Sequence, residues 1–474
     1  MLDAIFQPFV DGSPITVMAA AALNRLLSAE RLDALFDQTR TDQYTHRLLF
    51  STLFSLMAAV VTGTRNSIHH AFQTSTEDVG VSAVAVYDKL KGVGTATSQA
   101  LVRDMAAQVA PLIDLMGGAL PSPLPGYPVK ILDGNCIAAT EHRIGELRGT
   151  AAGALPGKSL AVLDAQRRLI VDVFPCEDGH AQERALLGEV VPTVRPGELW
   201  VDDRNVCTFA FLWAIAAARA YFVTRQHGNM ACQPLGPWEE RGAVEGGGGT
   251  VREQRVRVRD AGGRWLDLRR VAIHLEAGRE TRDGDTVIYL LTNLPAQGEG
   301  EGEGEGGGVG AAQVARLYSC RWRIETAFQE LAEHLNSEVN ALGYPRAALF
   351  GFCVALVVFN AVALMKAALR GRHGAEKVEA EVSNYYIAAE LETTSRGMMI
   401  AIPHEHWRVF ATMPREAFAA VLLMLAGKVN LRHFQKHPRG PKKPQPKREY
   451  DPAHPHVSTA KLLELRSPRK RRTT

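Results

Sequence analysis

Cysteine is scarce in this chain of 474 residues: Cys136, Cys176, Cys207, Cys232, Cys320 and Cys353 are all there is, with no Cys-x-x-Cys pair among them. Spaced so widely, they exclude a zinc site and a disulfide framework and imply reduced thiols in a cytoplasmic protein. No basic region precedes a short apolar core after Met1-Leu-Asp, which argues against a secretory signal. There is no heptad seam to define a coiled-coil dimer. A phosphate-cradling P-loop is missing too. Gly153-Ala-Leu-Pro-Gly157-Lys158-Ser159 has one residue too few between its glycines, and its Lys-Ser opens a strand-like run instead of a helix, which excludes ATP binding. Long apolar runs reduce to one, Ala347 to Met365. It approaches the ~20 residues that span a bilayer, but it contains Asn360 and stands alone, and is read as a buried core helix, with no membrane partner.

Net charge is low as well, at +3, but it is unevenly placed. Residues 432–474 hold thirteen Lys and Arg against three Asp and Glu, so a tail of +10 follows a body of −7. Such an arm is either solvated or in contact with nucleic acid.

The length calls for several domains. Residues 1–120 read as a helical N-terminal domain, with apolar spacing near 3.6 over Ile15–Leu27, Arg47–Val61 and Thr97–Met116. Its Arg40, Arg47, Arg65, Lys89 and Lys91 could touch DNA phosphates or merely keep the surface soluble. After the Pro-rich stretch 121–128, residues 125–226 read as a mixed α/β core: strands at Val129–Ile137, Ser159–Leu163, Leu169–Phe174, Leu199–Val201 and Tyr221–Thr224, with helices at Ala181–Val191 and Thr208–Ala220. Residues 227–297 form a β-rich insertion, in which Arg255, Arg257 and Arg259 alternate with Val256 and Val258 and align three guanidinium groups on one strand face. That ladder suits phosphates, or only keeps an edge strand soluble. A Gly/Glu linker at 298–310 leads to core helices at 311–371, a helical region at 372–431 and the basic tail at 432–474.

Three acidic residues stand out from this plan. Asp133 and Asp203 end apolar strand-like runs, and Glu325 lies on a helical segment one turn after Arg321 and two after Tyr318. Asp202 and Asp203 must point to opposite faces of a strand, and Asp203 is chosen because Arg204-Asn205 begins a turn at the strand end, where ligands meet α/β sheets. Taken singly, each Asp is more often a turn or cap residue. Together, carboxylates delivered by separate elements repel unless a cation joins them, and two magnesium ions about 4 Å apart are the usual answer for cutting phosphodiesters. Trp322, Ile324, Phe328 and Leu331 make the helix apolar enough to half-bury Glu325.

With these residues in place, segment 125–370 resembles the DDE transposases of bacterial insertion sequences, the family-four type with a β-strand insertion. The motifs are Asp133-Gly134, Asp202-Asp203-Arg204-Asn205, Tyr221-Phe-Val-Thr-Arg225, Leu291-Thr-Asn-Leu294 and Tyr318-x2-Arg321-x3-Glu325 with Trp322. The family signature continues to a Lys where this chain has Ala332, which puts one DNA-end contact in doubt. The resemblance implies an RNase H-like fold, a catalytic triad of Asp133, Asp203 and Glu325 holding two Mg2+ (Mn2+ as substitute), and Tyr318 and Arg321 at the phosphates of the transposon end. It implies cut-and-paste transposition by a homodimer on terminal inverted repeats and target DNA, at the nucleoid. An aromatic to hold a flipped base would be Trp265, with Trp238 an equal rival. The alternatives are a catalytically silent end-binding repressor and an RNase H-like nuclease without strand transfer.

Overall fold

The computed structural model describes residues 3–437 and 452–466, apart from 42, 44–46, 76–78, 138–139, 141–143, 148, 245–248, 277, 282–283, 298–307, 391–400 and 454. Most of the Gly/Glu linker and of the basic tail therefore lies outside the described residues.

The chain is a mixed α/β protein with a large mixed sheet and many helices. The N-terminal part is helical as its periodicity predicts: α1 (Gln7–Gly12), α2 (Pro14–Leu26), α3 (Ala29–Thr39), α4 (Phe50–Val61), α5 (Ile68–Gln73), α6 (Ala83–Gly92) and α7 (Thr95–Leu115). Ser28, Ser67 and Ser82 each cap a helix by accepting the N–H three residues on. These helices do not close on themselves. Their apolar faces join one core with the later helices α12 (Pro345–His373), α13 (Ala375–Glu381), α14 (His404–Thr412) and α15 (Arg415–Ala426). Phe6 stacks edge-on against Trp407 at 4.9 Å and against Phe410 at 5.8 Å.

The apolar run is the 29-residue α12, begun by Pro345 and ended by Gly374 at φ 91. By length and composition it could cross a membrane, yet 89% of its most apolar window is buried in the protein. Asn360, at its centre, donates to the Ile170 carbonyl at 2.8 Å and accepts from the Ile170 amide at 2.9 Å.

The sheet is assembled from β1 (Val129–Cys136), β3 (Lys158–Asp164), β4 (Leu169–Cys176), β5 (Leu199–Asp202), β6 (Tyr221–Arg225), β7 (Gln233–Pro234), β8 (Glu239–Ala243), β9 (Gly249–Arg259), β10 (Trp265–Leu275) and β11 (Val287–Thr292), while β2 (Gly153–Leu155) stands apart. Its order is β4-β3-β1-β5-β6-β11-β10-β9-β7, with β8 also on β9. β1, β5 and β6 run parallel. β3 is antiparallel to both β1 and β4, and β11, β10 and β9 alternate in direction.

The β-rich insertion therefore builds no sheet of its own. Its strand β11 pairs with β6, Leu290 opposite Arg225, and extends the core sheet outward. Strand alternation divides the apolar side chains between two layers. Ile131, Val201, Val223, Val271 and Leu290 face the α12 side, whereas Leu132, Trp200, Phe222, Val256 and Leu291 pack with Phe211 and Leu212 of α9 (Phe209–Ala217) on the other.

Two local expectations are corrected. Ala181–Val191 is not one helix but a 3-10 turn, Glu183–Leu186, followed by the single turn α8, Leu187–Val190. The helix expected through Tyr318 and Glu325 breaks at Cys320–Arg321 into α10 (Ala311–Ser319) and α11 (Trp322–His334). The last described segment, β12 (His456–Ser458) and α16 (Thr459–Arg466), returns to pair in parallel with β2, and Lys461 reaches Asp178 at 2.8 Å.

Candidate active site

Register decides which carboxylates meet. In the parallel pair β1–β5, Leu132 stands opposite Asp202, both on the face covered by α9, so the next residues, Asp133 and Asp203, turn to the α11 face. Gly134 follows, and a Cβ there would meet the Glu183 side chain on the far side of β1. Arg225, ending β6 on the same face as Val223, stands at this strand end with Asp203.

Asp202 is wholly buried, beside Thr224 of β6, with neither carboxyl oxygen hydrogen-bonded. Burial, with Asp203 and Asp133 adding to it, raises its pKa well above the ordinary carboxylate range, and it lies on the opposite face of the strand from Asp203.

The centre of the site is Arg321. Its guanidinium donates from Nη1 to Asp133 Oδ2 at 2.8 Å and from Nη2 to Glu325 Oε1 at 2.5 Å, and so joins two of the three expected carboxylates. Asp133 Oδ1 accepts the Gly134 amide at 2.9 Å. Tyr318 links the third carboxylate, its hydroxyl lying 3.5 Å from Asp203 Oδ1. Burial, with Asp203 adding to it, pushes the Tyr318 hydroxyl up to about 12, so it is a neutral donor. Burial likewise lifts Asp133 to about 7, against the opposing pull of Arg321 and the Gly134 amide and with Glu325 and Asp203 adding to the rise. One guanidinium thus leaves the cluster short of positive charge.

The structure brings Asp133, Asp203, Glu325, Tyr318 and Arg321 together. Among the described residues, however, no three His, Cys, Asp or Glu side chains already stand close enough to hold one ion. As a donor set the three carboxylates suit a hard divalent cation such as Mg2+. As arranged, Arg321 stands between two of them.

The other predicted contacts lie elsewhere. Arg255, Arg257 and Arg259 do share a strand face, with Val256 and Val258 buried on the other. β6 runs from Tyr221 toward the carboxylates, and the alternating pairings then put Gly249 of β9 and Leu275 of β10 at that end and Arg259 and Trp265 at the opposite one. Val271 of β10 is the residue level with Arg225, through Leu290, so Trp265 lies six residues down the strand, roughly 20 Å along it. Arg257 is held by both Asp267 oxygens, at 2.6 and 2.7 Å, under the Trp265 ring. Trp238 packs with Arg270 and Tyr289, and Arg270 and Tyr289 are on the α9 face of the sheet. Neither indole stands at the carboxylates.

The indole that does is Trp322, which is 59% exposed, its ring centre 5.3 Å from the Arg321 guanidinium carbon. The break at Cys320–Arg321 resets the helical phase and turns it outward, while Ile324 and Leu331 stay buried. Ala332, standing where the family signature has Lys, is exposed on α11.

An acidic site at the ends of parallel strands, with arginine and tyrosine donors, is suited to binding a cation and a phosphate. No described protein-family profile matches the chain. Over 206 residues it is 27% identical to the Putative transposase y4zB of Sinorhizobium fredii (strain NBRC 101917 / NGR234), a match covering 42% of this chain and 51% of that one. The chain thus spans about half the length of that curated relative. Among solved structures, a piggyBac transposase in a synaptic complex with hairpin DNA is similar over 84% of each chain, at 11% identity and a TM-score of 0.39.

Proposed function

We propose that this chain is a transposase that cuts DNA at transposon ends and joins the 3′ ends to a target, with Asp133, Asp203 and Glu325 as its catalytic carboxylates. The observation that carries the reading is the convergence of these three residues, from β1, the end of β5 and α11, on one face and one end of the parallel strands around Arg321. The strand order β4-β3-β1-β5-β6, with only β3 reversed between parallel or alternating neighbours, supports an RNase H-like core. The partial relationship to a transposase supports the same class.

On this reading Asp133, Asp203 and Glu325 would hold two Mg2+ ions, or Mn2+. Such ions, when bound, supply Lewis-acid activation of the attacking and leaving oxygens. Tyr318 is a neutral hydroxyl donor and Arg321 a forked cation, and both would grip the non-bridging phosphate oxygens. Arg225, ion-paired with Asp285 at 2.6 Å, lies at the same rim. The Glu325 side chain is 37% accessible against 15% for Asp133, so DNA would approach from the α11 side. A homodimer on paired transposon ends, with work at the nucleoid, completes the proposal.

The test is cleavage of labelled DNA carrying the inverted repeat that flanks the gene, with Mg2+. Wild type should nick at the repeat boundary and transfer the 3′ end, whereas Glu325→Gln should bind but not cut. If both bind and neither cuts, the chain is a silent end-binding protein; nicking without joining makes it a nuclease.

A further inference from the structure

We infer that Arg321 is a built-in placeholder cation: with no DNA present its guanidinium occupies the gap between Asp133 and Glu325, and a divalent ion must displace it to bind. The inference rests on the proposed metal-site reading and adds a competition that this reading does not contain.

Three observations carry it. First, the guanidinium bonds both carboxylates, at 2.8 Å and 2.5 Å, so the oxygens a metal would need are already engaged. Secondly, Arg321 is only 7% exposed, yet its Nε–H is buried without an acceptor. A buried donor left unpaired is costly, so this is not a position in which the side chain is fully satisfied. A phosphate oxygen offers the missing acceptor. Thirdly, the arginine lies in the break between α10 and α11, where its backbone amide bonds only the Tyr318 carbonyl three residues back, and its ring neighbours Tyr318 and Trp322 are 5.9 and 5.3 Å away. It can leave the carboxylates without unwinding either helix.

Charge explains why such a residue is present. Without any cation, Asp133 and Glu325 would face each other partly buried and unpaired, which is costly. Arg321 neutralises them in the free protein. It then becomes the competitor of the metal, and a phosphate that draws it away would strengthen metal binding, because two ligands that remove the same obstacle favour each other reciprocally.

The experiment measures Mn2+ binding to the full chain without DNA, by the loss of the free-ion electron paramagnetic resonance signal, and Mn2+-induced thermal stabilisation. Wild type, Arg321→Gln, Arg321→Lys and the double variant Asp133→Asn with Arg321→Gln are compared. Arg321→Gln should bind Mn2+ roughly 5- to 150-fold tighter than wild type, the usual range for coupled ligands, and gain the larger thermal shift. Arg321→Lys should fall between them, and the double variant should lose the gain.

Equal or weaker binding by Arg321→Gln overturns the placeholder while leaving a metal site in being. Binding by none of the proteins overturns the metal-site reading itself, and the placeholder with it. Should Arg321→Gln fail to fold without metal, refolding with added Mn2+ but not with Ca2+-free chelator buffer supports the inference, and failure in both overturns it.

Discussion

Asp133 gives the metal-free chain its own pH dependence. Its folded pKa, about 7, lies above the ordinary 3.8, so between roughly pH 4 and 7 the folded state binds the extra proton. Stability contributed by Asp133 is present below pH 4 and is lost as pH rises through 7. Denaturant unfolding in chelator should show wild type losing stability relative to Asp133→Asn across that window; a flat difference would contradict the burial argument. Trp322 yields a second prediction. Exposed beside Arg321, it should support a DNA base by stacking, worth roughly 1–3 kcal/mol, so Trp322→Ala should weaken binding of the DNA end in a gel-shift titration. Trp265→Ala, at the other end of β10, should leave binding at that end unchanged. That Asp202 and Asp203 face opposite sides of the sheet was legible because strand alternation is a local rule. The outward turn of Trp322 was not, because nothing in Tyr318-Ser-Cys-Arg-Trp, which has neither Gly nor Pro, announces a break in the helix. Nor could alternation on β9 and β10 reveal at which end of the sheet Trp265 falls, since that follows from pairings far apart in sequence.

At the scale of elements, α12 is held in place by Asn360. Its carboxamide satisfies both backbone groups of Ile170, beside the register shift where β3 and β4 slip past each other after Val162. Asn360→Leu would leave a buried N–H and a buried C=O without partners, and should cost roughly 2–5 kcal/mol in equilibrium denaturation. A loss below about half a kilocalorie per mole, the usual effect of an uninvolved surface change, would show that water replaces the side chain. Close approach elsewhere on α12 depends on Gly371, where a Cβ would overlap the Met116 carbonyl at the end of α7. Asn360 and the isolation of the run argued in the sequence for a core helix; its partners were not legible, because an all-apolar surface is compatible with many packings. The β-rich insertion was likewise visible as strands, but its edge pairing to β6 depends on registers that alternation alone leaves open.

For the whole molecule, the chain's exits and returns matter more than any one contact. On either side of residues 298–307, Ala296 and Val309 form a β-bridge, and the Val309 amide donates to the Pro295 carbonyl at 2.9 Å. The two ends therefore already meet, and closing a shorter loop costs little. Deleting 298–307 and joining Gln297 to Gly308 through two glycines should keep the melting temperature within a few degrees; a collapse in stability would give the Gly/Glu segment a structural part. The compositional boundaries of the sequence suggested this linker. They also suggested a separate helical domain over 1–120, whereas Phe6, Trp407, Phe410 and Phe418 share one core, a fact no local pattern can announce. That shared core sets a condition on synthesis. As the chain leaves the ribosome, α2, α4 and α7 emerge with their apolar faces uncovered, and every strand of the sheet must be made before α12 arrives to cover them. The nascent protein thus spends most of its translation with sticky helices exposed, a period in which a chaperone would have to shield them from one another and from neighbouring chains.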